Sequence, residues 1–436
     1  MAKKIDEQKI FRRMQVSAFF ETQVIHDRKE RPKYNDYYTT SFKKAFNDLV
    51  EKRYDESPKS FRKLKRKCFQ WLLYEEFVFY CKTFGIRIDE ETLAKAFKFR
   101  TRKFKSFLLA VKMKLPKSKL AAKSYGEFIA FRDRENEYAG YEVKNIAVCA
   151  TMSAGKSTFV NALLGNDVLP SRNEATTAKI TSVYDRDGTE KTIGFVQKDG
   201  GAAVDKCSDV SLAKLNEWND SNEINRIFLQ GDLDGIRNMS KIVAVRDTPG
   251  TNNSGDKSHY TTTINFLKEN KMDAIIYVAN AEHLCTTDEK TLLSELFKKL
   301  VKVTGIPVIF VINKADSVDI EKESLNSTIM QFKDFVRDMG YDDSRVFAVS
   351  AKSARLLKMA IQNESFKFTE AECDIFPTVV RKFLARMNLG DDCKLIESEQ
   401  LSITIDGEVY ERTELFKALW HTGIHSIEKE IEAIVK

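Results

Sequence analysis

The stretch Ala150-Thr-Met-Ser-Ala-Gly155-Lys156-Ser157-Thr158 decides the fold of this chain. It follows an apolar run predicted to be a β-strand, Asn145–Cys149, and opens a predicted helix, which is the setting of a phosphate-binding loop. Backbone N–H groups in such a turn and at the helix N-terminus point at phosphate oxygens. Lys156 is expected to contact the β- and γ-phosphates of a nucleotide, and the Ser157 hydroxyl to bind Mg²⁺. The residues predicted to contact the nucleotide here are Thr151, Ser153, Ala154, Gly155, Lys156, Ser157 and Thr158.

A second motif, Asp247-Thr248-Pro249-Gly250, directly follows the predicted strand Lys241–Val245. A carboxylate at a strand end can hold the shell of a Mg²⁺ ion, usually through water. A glycine lets the backbone approach closely, so its N–H can meet the γ-phosphate. The motif therefore predicts Asp247 as a metal ligand and Gly250 as a nucleotide contact.

A third motif, Asn313-Lys314-Ala315-Asp316, follows the apolar run Ile306–Ile312. The Asp316 carboxylate can accept from both N1–H and the exocyclic amine of guanine, a donor pair that adenine lacks; sites of this kind discriminate by about 10⁴ or more. Asn313 is expected to brace the loop, and the Lys314 stem to lie on the base. A fourth motif, Ser350-Ala351-Lys352, ends another predicted strand, where a backbone N–H can meet the guanine O6. Together the motifs predict a GTP site.

Around these motifs the chain alternates short apolar runs with helical stretches, which predicts an α/β fold with a mostly parallel sheet and helices on both faces. Two further runs, Ile180–Tyr184 and Thr192–Gln197, are predicted to form an added hairpin. Residues 353–390 are predicted to be helical. A second hairpin is expected over 401–412, turning at Asp406-Gly407, and a last helix from Ile424.

Residues 1–140 differ in charge and texture. They carry 34 Lys and Arg against 19 Asp and Glu, whereas the remaining residues carry 37 against 45. Apolar residues spaced three to four apart predict helices, so we expect an all-helical basic domain. Three interpretations stay open: a solvated bundle with a phenylalanine core, a patch for anionic lipid, and a nucleic-acid surface, the last being less favoured because no RNA- or DNA-binding motif is present.

Composition narrows the class of protein. The chain has 436 residues with 42% hydrophobic and 31% charged residues, as in soluble globular proteins. Its seven cysteines show no CxxC spacing, which favours reduced thiols over disulfides or zinc. His421 and His425 are four apart, but they lack a third ligand nearby and are expected to be exposed. The N-terminal sequence lacks the apolar stretch of a signal peptide, so we expect a cytoplasmic protein that can associate peripherally with a membrane.

Two stretches add a family resemblance. Ser153-Ala-Gly-Lys-Ser-Thr-Phe-Val-Asn-Ala-Leu-Leu-Gly165, followed by Leu169-Pro170 and Thr176-Thr177, resembles the bacterial branch of the dynamin superfamily, and so does Val278-Ala-Asn-Ala-Glu-His-Leu-Cys-Thr-Thr-Asp-Glu289. The resemblance covers about residues 144–352.

This resemblance implies a P-loop GTPase core that hydrolyses GTP with Mg²⁺. Thr177 would be the switch threonine that orders Mg²⁺ and the attacking water, and Ser153 would lie beside the scissile bond, so the implied catalytic residues are Lys156, Ser153 and Thr177. Arg172 is considered as an arginine finger, but a solvated loop charge is favoured. The resemblance also implies a homodimer through the GTPase heads, at an anionic membrane surface or with a partner dynamin-like protein.

We therefore expect four segments: a basic helical domain at 1–140, a dynamin-type GTPase core at 141–352, an insertion of helices plus a hairpin at 353–420, and the final helix of the GTPase head at 421–436. The expected function is a dynamin-like GTPase that binds GTP and GDP. One alternative is a GTPase switch on RNA or ribosomes. Another is a GTP-binding scaffold with little hydrolysis, because Ala150 replaces the first glycine of the loop pattern, where a Cβ is expected to strain the turn, and because Met152 is apolar.

Overall fold

The computed structural model describes residues 45, 47, 138, 141–170, 179–189, 191–198, 203–237, 241–250, 257–318, 324–342, 344–362, 368–390 and 402–436. Contacts divide the chain into two units, Met1–Tyr141 with Ile193–Ser208, and Glu142–Thr192 with Asp209–Lys436. The predicted basic domain lies almost wholly outside the described residues, so its helical structure stays a prediction. The four-segment division also stays a prediction.

The second unit alternates strands and helices along the chain. Its elements are β1 (Glu142–Ala150), α1 (Lys156–Leu164), β2 (Ile180–Asp185), α2 (Leu212–Asp220), β5 (Arg226–Gly231), β6 (Lys241–Asp247), α3 (Lys257–Glu269), β7 (Ala274–Asn280), α4 (Thr287–Leu296), β8 (Val308–Asn313), α5 (Leu325–Arg337), β9 (Arg345–Val349), α6 (Ala351–Gln362), α7 (Glu370–Ala385), β10 (Ser402–Ile405), β11 (Glu408–Glu411), α8 (Arg412–His421) and α9 (Ile424–Val435). In the first unit, β3 (Ile193–Gln197) and β4 (Ala203–Cys207) form an antiparallel pair.

Within the second unit, seven strands form one sheet in the order β5-β2-β6-β1-β7-β8-β9. Each neighbouring pair is parallel except β2 and β6, which are antiparallel. β2 and β7 are buried along their whole length and β5 at all but its first residue, as expected where helices cover both faces of a sheet. The predicted mostly parallel sheet is confirmed.

The hairpin predicted from Ile180–Tyr184 and Thr192–Gln197 is wrong. β2 pairs with β5 on one side and with β6 on the other, while β3 pairs with β4. Every residue of β2 is buried, which suits a central strand, whereas an exposed hairpin would alternate buried and open positions. Closeness in sequence therefore does not identify which strands pair here.

Helices pack on both faces of this sheet. On one face, Tyr277 and Phe310 pack with Phe332 of α5 in a cluster that also holds residues of α3 and α4; the Phe310 and Phe332 ring centroids are 5.9 Å apart. On the other face, α1 contacts β1 and β6, α6 packs on α1, and α9 contacts β6 and β9. The predicted layer arrangement is confirmed.

The C-terminal elements agree with the expected helices and hairpin. β10 and β11 are antiparallel and turn at Asp406-Gly407, and the last helix begins at Ile424. A capping box of Thr369 with Glu372 begins α7, because each side chain accepts a hydrogen bond from the other residue's otherwise unpaired backbone N–H. None of the helices that the structure describes has the length and apolar composition needed to cross a bilayer.

Candidate functional site

The four motifs lie at the carboxyl ends of four parallel strands. The phosphate loop follows β1, Asp247 ends β6, Asn313 ends β8 and Ser350 follows β9. These strands belong to the parallel run β6-β1-β7-β8-β9. Since carboxyl ends of parallel strands meet at one edge, all four motifs lie along the edge where open α/β sheets bind ligands.

The phosphate loop needs left-handed backbone at two positions. Ser153 has φ 60° and Gly155 has φ 80°, and Gly155 caps the N-terminus of α1. A Cβ on Gly155 would lie 2.5 Å from Asn313 Nδ2, so only glycine fits there.

Ala150 does not share this conformation. It is the last residue of β1, lies opposite Val278 in register, and is absent from the described residues with positive φ. The expected strain at Ala150 is therefore wrong, because the turn begins after it. The scaffold interpretation loses that support.

Lys156 and Asp247 form a buried ion pair at the start of α1. Lys156 Nζ donates to Asp247 Oδ1, and these side chains are 7% and 1% exposed. The Ser157 hydroxyl lies 3.5 Å from Asp247 Oδ2. The ammonium thus neutralises a carboxylate that burial would otherwise disfavour strongly.

The same oxygens suit a magnesium ion. Mg²⁺ prefers oxygen ligands and is usually held by one or two protein groups together with water and phosphate. Ser157 and Asp247 offer a hydroxyl and a carboxylate side by side, so the residues present fit this cation. Thr177, the third predicted ligand, and Arg172 lie outside the described residues.

Asn313 joins the phosphate loop to the fourth motif. Its side-chain Nδ2 donates to the Ala154 carbonyl at 2.9 Å, and its Oδ1 accepts from the Ala351 N–H at 3.1 Å. The side chain is buried, so these bonds are made without competing water. One amide therefore holds the loop, the end of β8 and the start of α6 together.

The two charged residues after Asn313 remain partly open. Lys314 has φ 59°, and its Nζ lies 3.1 Å from Glu282 Oε2, a hydrogen bond and charge that lower the pKa of Glu282. Asp316 is 28% exposed, and its Oδ2 lies 3.9 Å from Lys382 Nζ, which also donates to the Asp316 carbonyl oxygen. The Asp316 carboxylate is thus accessible and can accept hydrogen bonds from a base.

The fourth motif is more enclosed. Ser350 N–H donates to the Thr422 carbonyl at 3.0 Å, and the Ser350 hydroxyl is buried without a hydrogen-bond partner among the described residues. The Ala351 N–H is held by Asn313. A guanine O6 at this position would therefore share the Ala351 donor or use the next amide, that of Lys352, at the first turn of α6.

The contacts of two side chains at this edge of the sheet could not be predicted from the sequence. Glu282 lies inside the quoted stretch that begins at Val278, but no pattern assigned it a contact with Lys314. Lys382 comes from α7 and reaches Asp316 across 66 residues of sequence. Spacing along the chain carries no signal for either contact, since both depend on the tertiary fold.

The histidine pair is not exposed as expected. His421 Nδ1 lies 2.6 Å from the Phe383 carbonyl oxygen, and His425 lies against Trp420 with ring centroids 3.8 Å apart. His425 Nδ1 is also 3.3 Å from Glu428 Oε2. Both histidines are half-buried and take part in packing, which explains why their helical spacing does not create a site.

Parts of this chain are similar to known proteins. The model of the Dynamin family matches residues 146–315. An uncharacterized protein in the xynA 3′ region of Caldicellulosiruptor sp. (strain Rt8B.4) is 25% identical over 244 residues, which are 55% of this chain and 56% of that protein. The bacterial dynamin-like protein of Nostoc punctiforme is 25% identical over 274 residues, which are 56% of this chain and 36% of that protein.

The chain thus spans about half, or less, of the length of these relatives. A solved structure of an oligomerised bacterial dynamin pair, in which the pair senses and tethers membranes, is 17% identical, with 79% of this chain and 72% of that chain covered at a TM-score of 0.39. That score is low, so the family assignment depends on the sequence matches.

Proposed function

We propose that this chain, which the Dynamin family model matches over residues 146–315, is a dynamin-like GTPase that binds GTP with Mg²⁺ and hydrolyses it to GDP and phosphate. The observation that carries the proposal is a pair of hydrogen bonds at the Asn313 side chain. Its Nδ2 donates to the Ala154 carbonyl, and its Oδ1 accepts from the Ala351 N–H. This side chain connects the phosphate loop directly to the fourth motif, which supports a single nucleotide site that includes both.

Base selection is assigned to Asp316. Its partly exposed carboxylate can accept from guanine N1–H and from the exocyclic amine, and the Lys382 ammonium lies 3.9 Å from its Oδ2. Adenine would leave that carboxylate without its donors, which is the strong form of discrimination. The Lys314 stem lies beside it, held by Glu282, where it can cover one face of the base.

Phosphate binding requires Lys156 to change partner. In this structure its ammonium is bound to Asp247, and a triphosphate offers it a competing anion. Once Lys156 turns to the β- and γ-phosphates, Asp247 needs another cation, and the Ser157–Asp247 oxygens then hold Mg²⁺, which supplies charge neutralisation at the phosphates. Nucleotide and metal binding are thereby coupled through one lysine.

Hydrolysis is assigned to in-line attack of water on the γ-phosphate. Lys156 and the amides of the phosphate loop stabilise the developing negative charge. Ser153, which has left-handed backbone in the loop, is proposed to lie beside the scissile bond, and Thr177 is proposed to order the water. The apolar Met152 Cγ lies 3.7 Å from the position of a Cβ on Gly250, so Met152 is next to the residue proposed to contact the γ-phosphate.

Nucleotide-dependent pairing of two heads and association with a membrane complete the proposal. Head pairing is supported by the family resemblance, and membrane association by the positive excess of residues 1–140. Clustered Lys and Arg near a surface of anionic lipid contribute about 1 kcal/mol each. The proposed cellular setting is the cytoplasm, with peripheral contact to a membrane.

Steady-state GTP hydrolysis by the purified chain tests this function. It is measured alone, with anionic vesicles and with structured RNA, at low and moderate salt. Activity that rises with protein concentration and with vesicles supports the proposal, since pairing and lipid contact both act on turnover. Stimulation by RNA alone would replace it with an RNA-linked switch, and GTP binding with no turnover would replace it with a scaffold. Lys156→Ala supplies the background in each arm.

A further inference from the structure

A second group of carboxylate side chains lies at the carboxyl ends of β2 and β5, at the opposite end of the sheet's strands from the phosphate loop. β2 and β5 are parallel and end together, with Asp185 opposite Gly231 and Asp232 next along the chain. Because β2 is antiparallel to β6, this end of β2 lies at the amino end of β6, away from Asp247. Asp185, Asp187 and Asp232 each place a carboxylate oxygen within 4.8 Å of the others.

Asp185 makes this cluster more than a group of surface acids. It is fully buried, and its Oδ1 accepts from the Leu233 N–H at 2.8 Å. Its Oδ2 is also buried and has no hydrogen-bond partner among the described residues. A buried carboxylate oxygen without a partner is costly, so the arrangement requires something positive or a proton at that atom.

The backbone holds these carboxylates in place. Asp232 Oδ2 accepts from the Gly188 N–H at 2.7 Å, as Asp185 Oδ1 accepts from Leu233. Asp185 and Asp232 are therefore each held through one oxygen, as supporting hydrogen bonds commonly hold metal-binding carboxylates. Gly188 has φ 71°, which lets the turn after β2 bring this N–H to Asp232.

We propose that Asp185, Asp187 and Asp232 bind a divalent cation, with Ca²⁺ preferred over Mg²⁺. Carboxylates are hard oxygen ligands, which suit these two ions. Ca²⁺ accepts flexible coordination by several carboxylates, whereas Mg²⁺ demands near-octahedral geometry and usually keeps several waters. Three carboxylates from two separate turns therefore suit the more tolerant ion.

The cation and its waters can reach this cluster. Asp187 is exposed, and Asp232 lines a cavity of about 530 Å³ beside the end of α1 and Gln362 of α6. The bound ion joins the turn after β2 to the turn after β5. It stabilises the folded chain by mass action, at a place separate from the nucleotide.

Calcium titration of the full chain, stripped of metal with a chelator and free of nucleotide, tests the site by calorimetry and by thermal unfolding. One equivalent of Ca²⁺ is expected to bind with a Kd of about 0.01–1 mM and to raise Tm, with Mg²⁺ binding about tenfold more weakly. Asp187→Asn, at an exposed position, should weaken Ca²⁺ binding at least about tenfold without lowering the metal-free Tm, because it removes one like charge beside Asp185 and Asp232. Asp334→Asn, at an exposed position of α5, is the matched control and should bind Ca²⁺ as the unaltered chain does.

Three results would overturn the proposal. One is an absence of heat and of a Tm shift with Ca²⁺ up to about 10 mM, well above the expected range. The second is full Ca²⁺ binding by Asp187→Asn. The third is a metal-independent gain in stability from Asp185→Asn together with no effect of Ca²⁺ on the unaltered chain, which would assign a proton to Oδ2. Asp247→Asn should keep the Ca²⁺ stoichiometry, so failure at this cluster and failure of the proposed GTP site are distinguished.

Discussion

Two aspartates end strands of the same sheet, are equally buried, and differ in what neutralises them. Asp247 ends β6 with a lysine ammonium on its Oδ1. Asp185 ends β2 with an Oδ2 that lacks a hydrogen-bond partner among the described residues. At the phosphate-loop edge the chain carries its own counter-charge, which a nucleotide can draw away. At the opposite edge, Asp185 Oδ2 requires a cation or a proton.

The difference has a consequence for stability at the phosphate-loop edge. A buried ion pair is weak evidence for stability, but removing one partner is expensive because the other charge is left uncompensated. On the proposed function, phosphate would replace Asp247 as the partner of Lys156, and Asp247 with Ser157 would then hold Mg²⁺. At the second edge no such exchange is built in, and occupancy follows cation concentration.

The largest effect is expected from Lys156→Ala. It removes the phosphate contact and leaves Asp247 buried without its cation, so GTP affinity should fall by more than about 100-fold and the free energy of unfolding by about 3–5 kcal/mol. Titration with a fluorescent GTP analogue and urea unfolding measure the two effects. Lys298→Ala, at an exposed position of the segment after α4, should change neither.

A double variant separates these effects. Lys156→Ala with Asp247→Asn should recover most of the lost stability, because no buried charge is left unpaired, while GTP binding stays lost. Normal GTP affinity in the single variant would contradict the assignment of the phosphate loop.

The next largest effect is expected on recognition of the guanine base. In Asp316→Asn one acceptor becomes a donor, which opposes the exocyclic amine of guanine and matches the O2 of xanthine. GTP affinity should fall by at least about 100-fold and xanthosine triphosphate should gain, as measured by competition for the fluorescent analogue. Asp374→Asn, on the helix that carries Lys382, serves as control. Unchanged selectivity for GTP would remove Asp316 from base recognition.

Glu289 is a third buried carboxylate, and it tests how burial makes stability depend on pH. Glu289 is 1% exposed, and its Oε2 accepts from the Thr286 N–H in the capping box of α4. Burial raises its pKa from 4.5 to about 7. The folded chain therefore binds more protons than the unfolded chain between these two values, and stability falls as pH rises through that window.

Glu289→Gln should keep the cap, since glutamine serves equally at this position, and remove the pH dependence. Its free energy of unfolding should exceed that of the unaltered chain by about 1–3 kcal/mol above pH 7 and differ little below pH 4.5. Urea unfolding at several pH values measures this. Parallel stability curves for the two chains would contradict the shifted pKa.

The smallest effect is expected from Ala150→Gly. Since Ala150 is a strand residue without positive φ, restoring the glycine of the common loop pattern should change GTP affinity by less than about threefold, while added backbone freedom lowers stability by about 0.5–1 kcal/mol. A large gain in affinity would show that the Cβ does strain the loop.

Much of the nucleotide edge could be predicted from sequence. Buried parallel strands are continuous apolar runs, so Asn145–Cys149 and Lys241–Val245 mark β1 and β6 to within a few residues, and the motifs at their ends follow from connection rules. Strand partners could not be predicted the same way, because short apolar strands such as β2 and β3 carry no mark of which neighbour they pair with.

The acidic cluster was also beyond sequence reasoning. Asp232 meets the turn at Gly188 across 44 residues, and only the parallel pairing of β2 with β5 brings the carboxylates together. The same reason hid the contact of Lys382 with Asp316. Sequence patterns report local geometry, whereas these contacts depend on sheet order.

The most direct test of the GTP site is an equilibrium comparison of GTP and ATP binding to the purified chain in the same Mg²⁺ buffer. The carboxylate of Asp316 and the loop held by Asn313 predict that GTP binds at least about 100-fold more tightly than ATP. Equal affinities, a preference for ATP, or no binding of either nucleotide would contradict a guanine-nucleotide site at the carboxyl edge of the sheet.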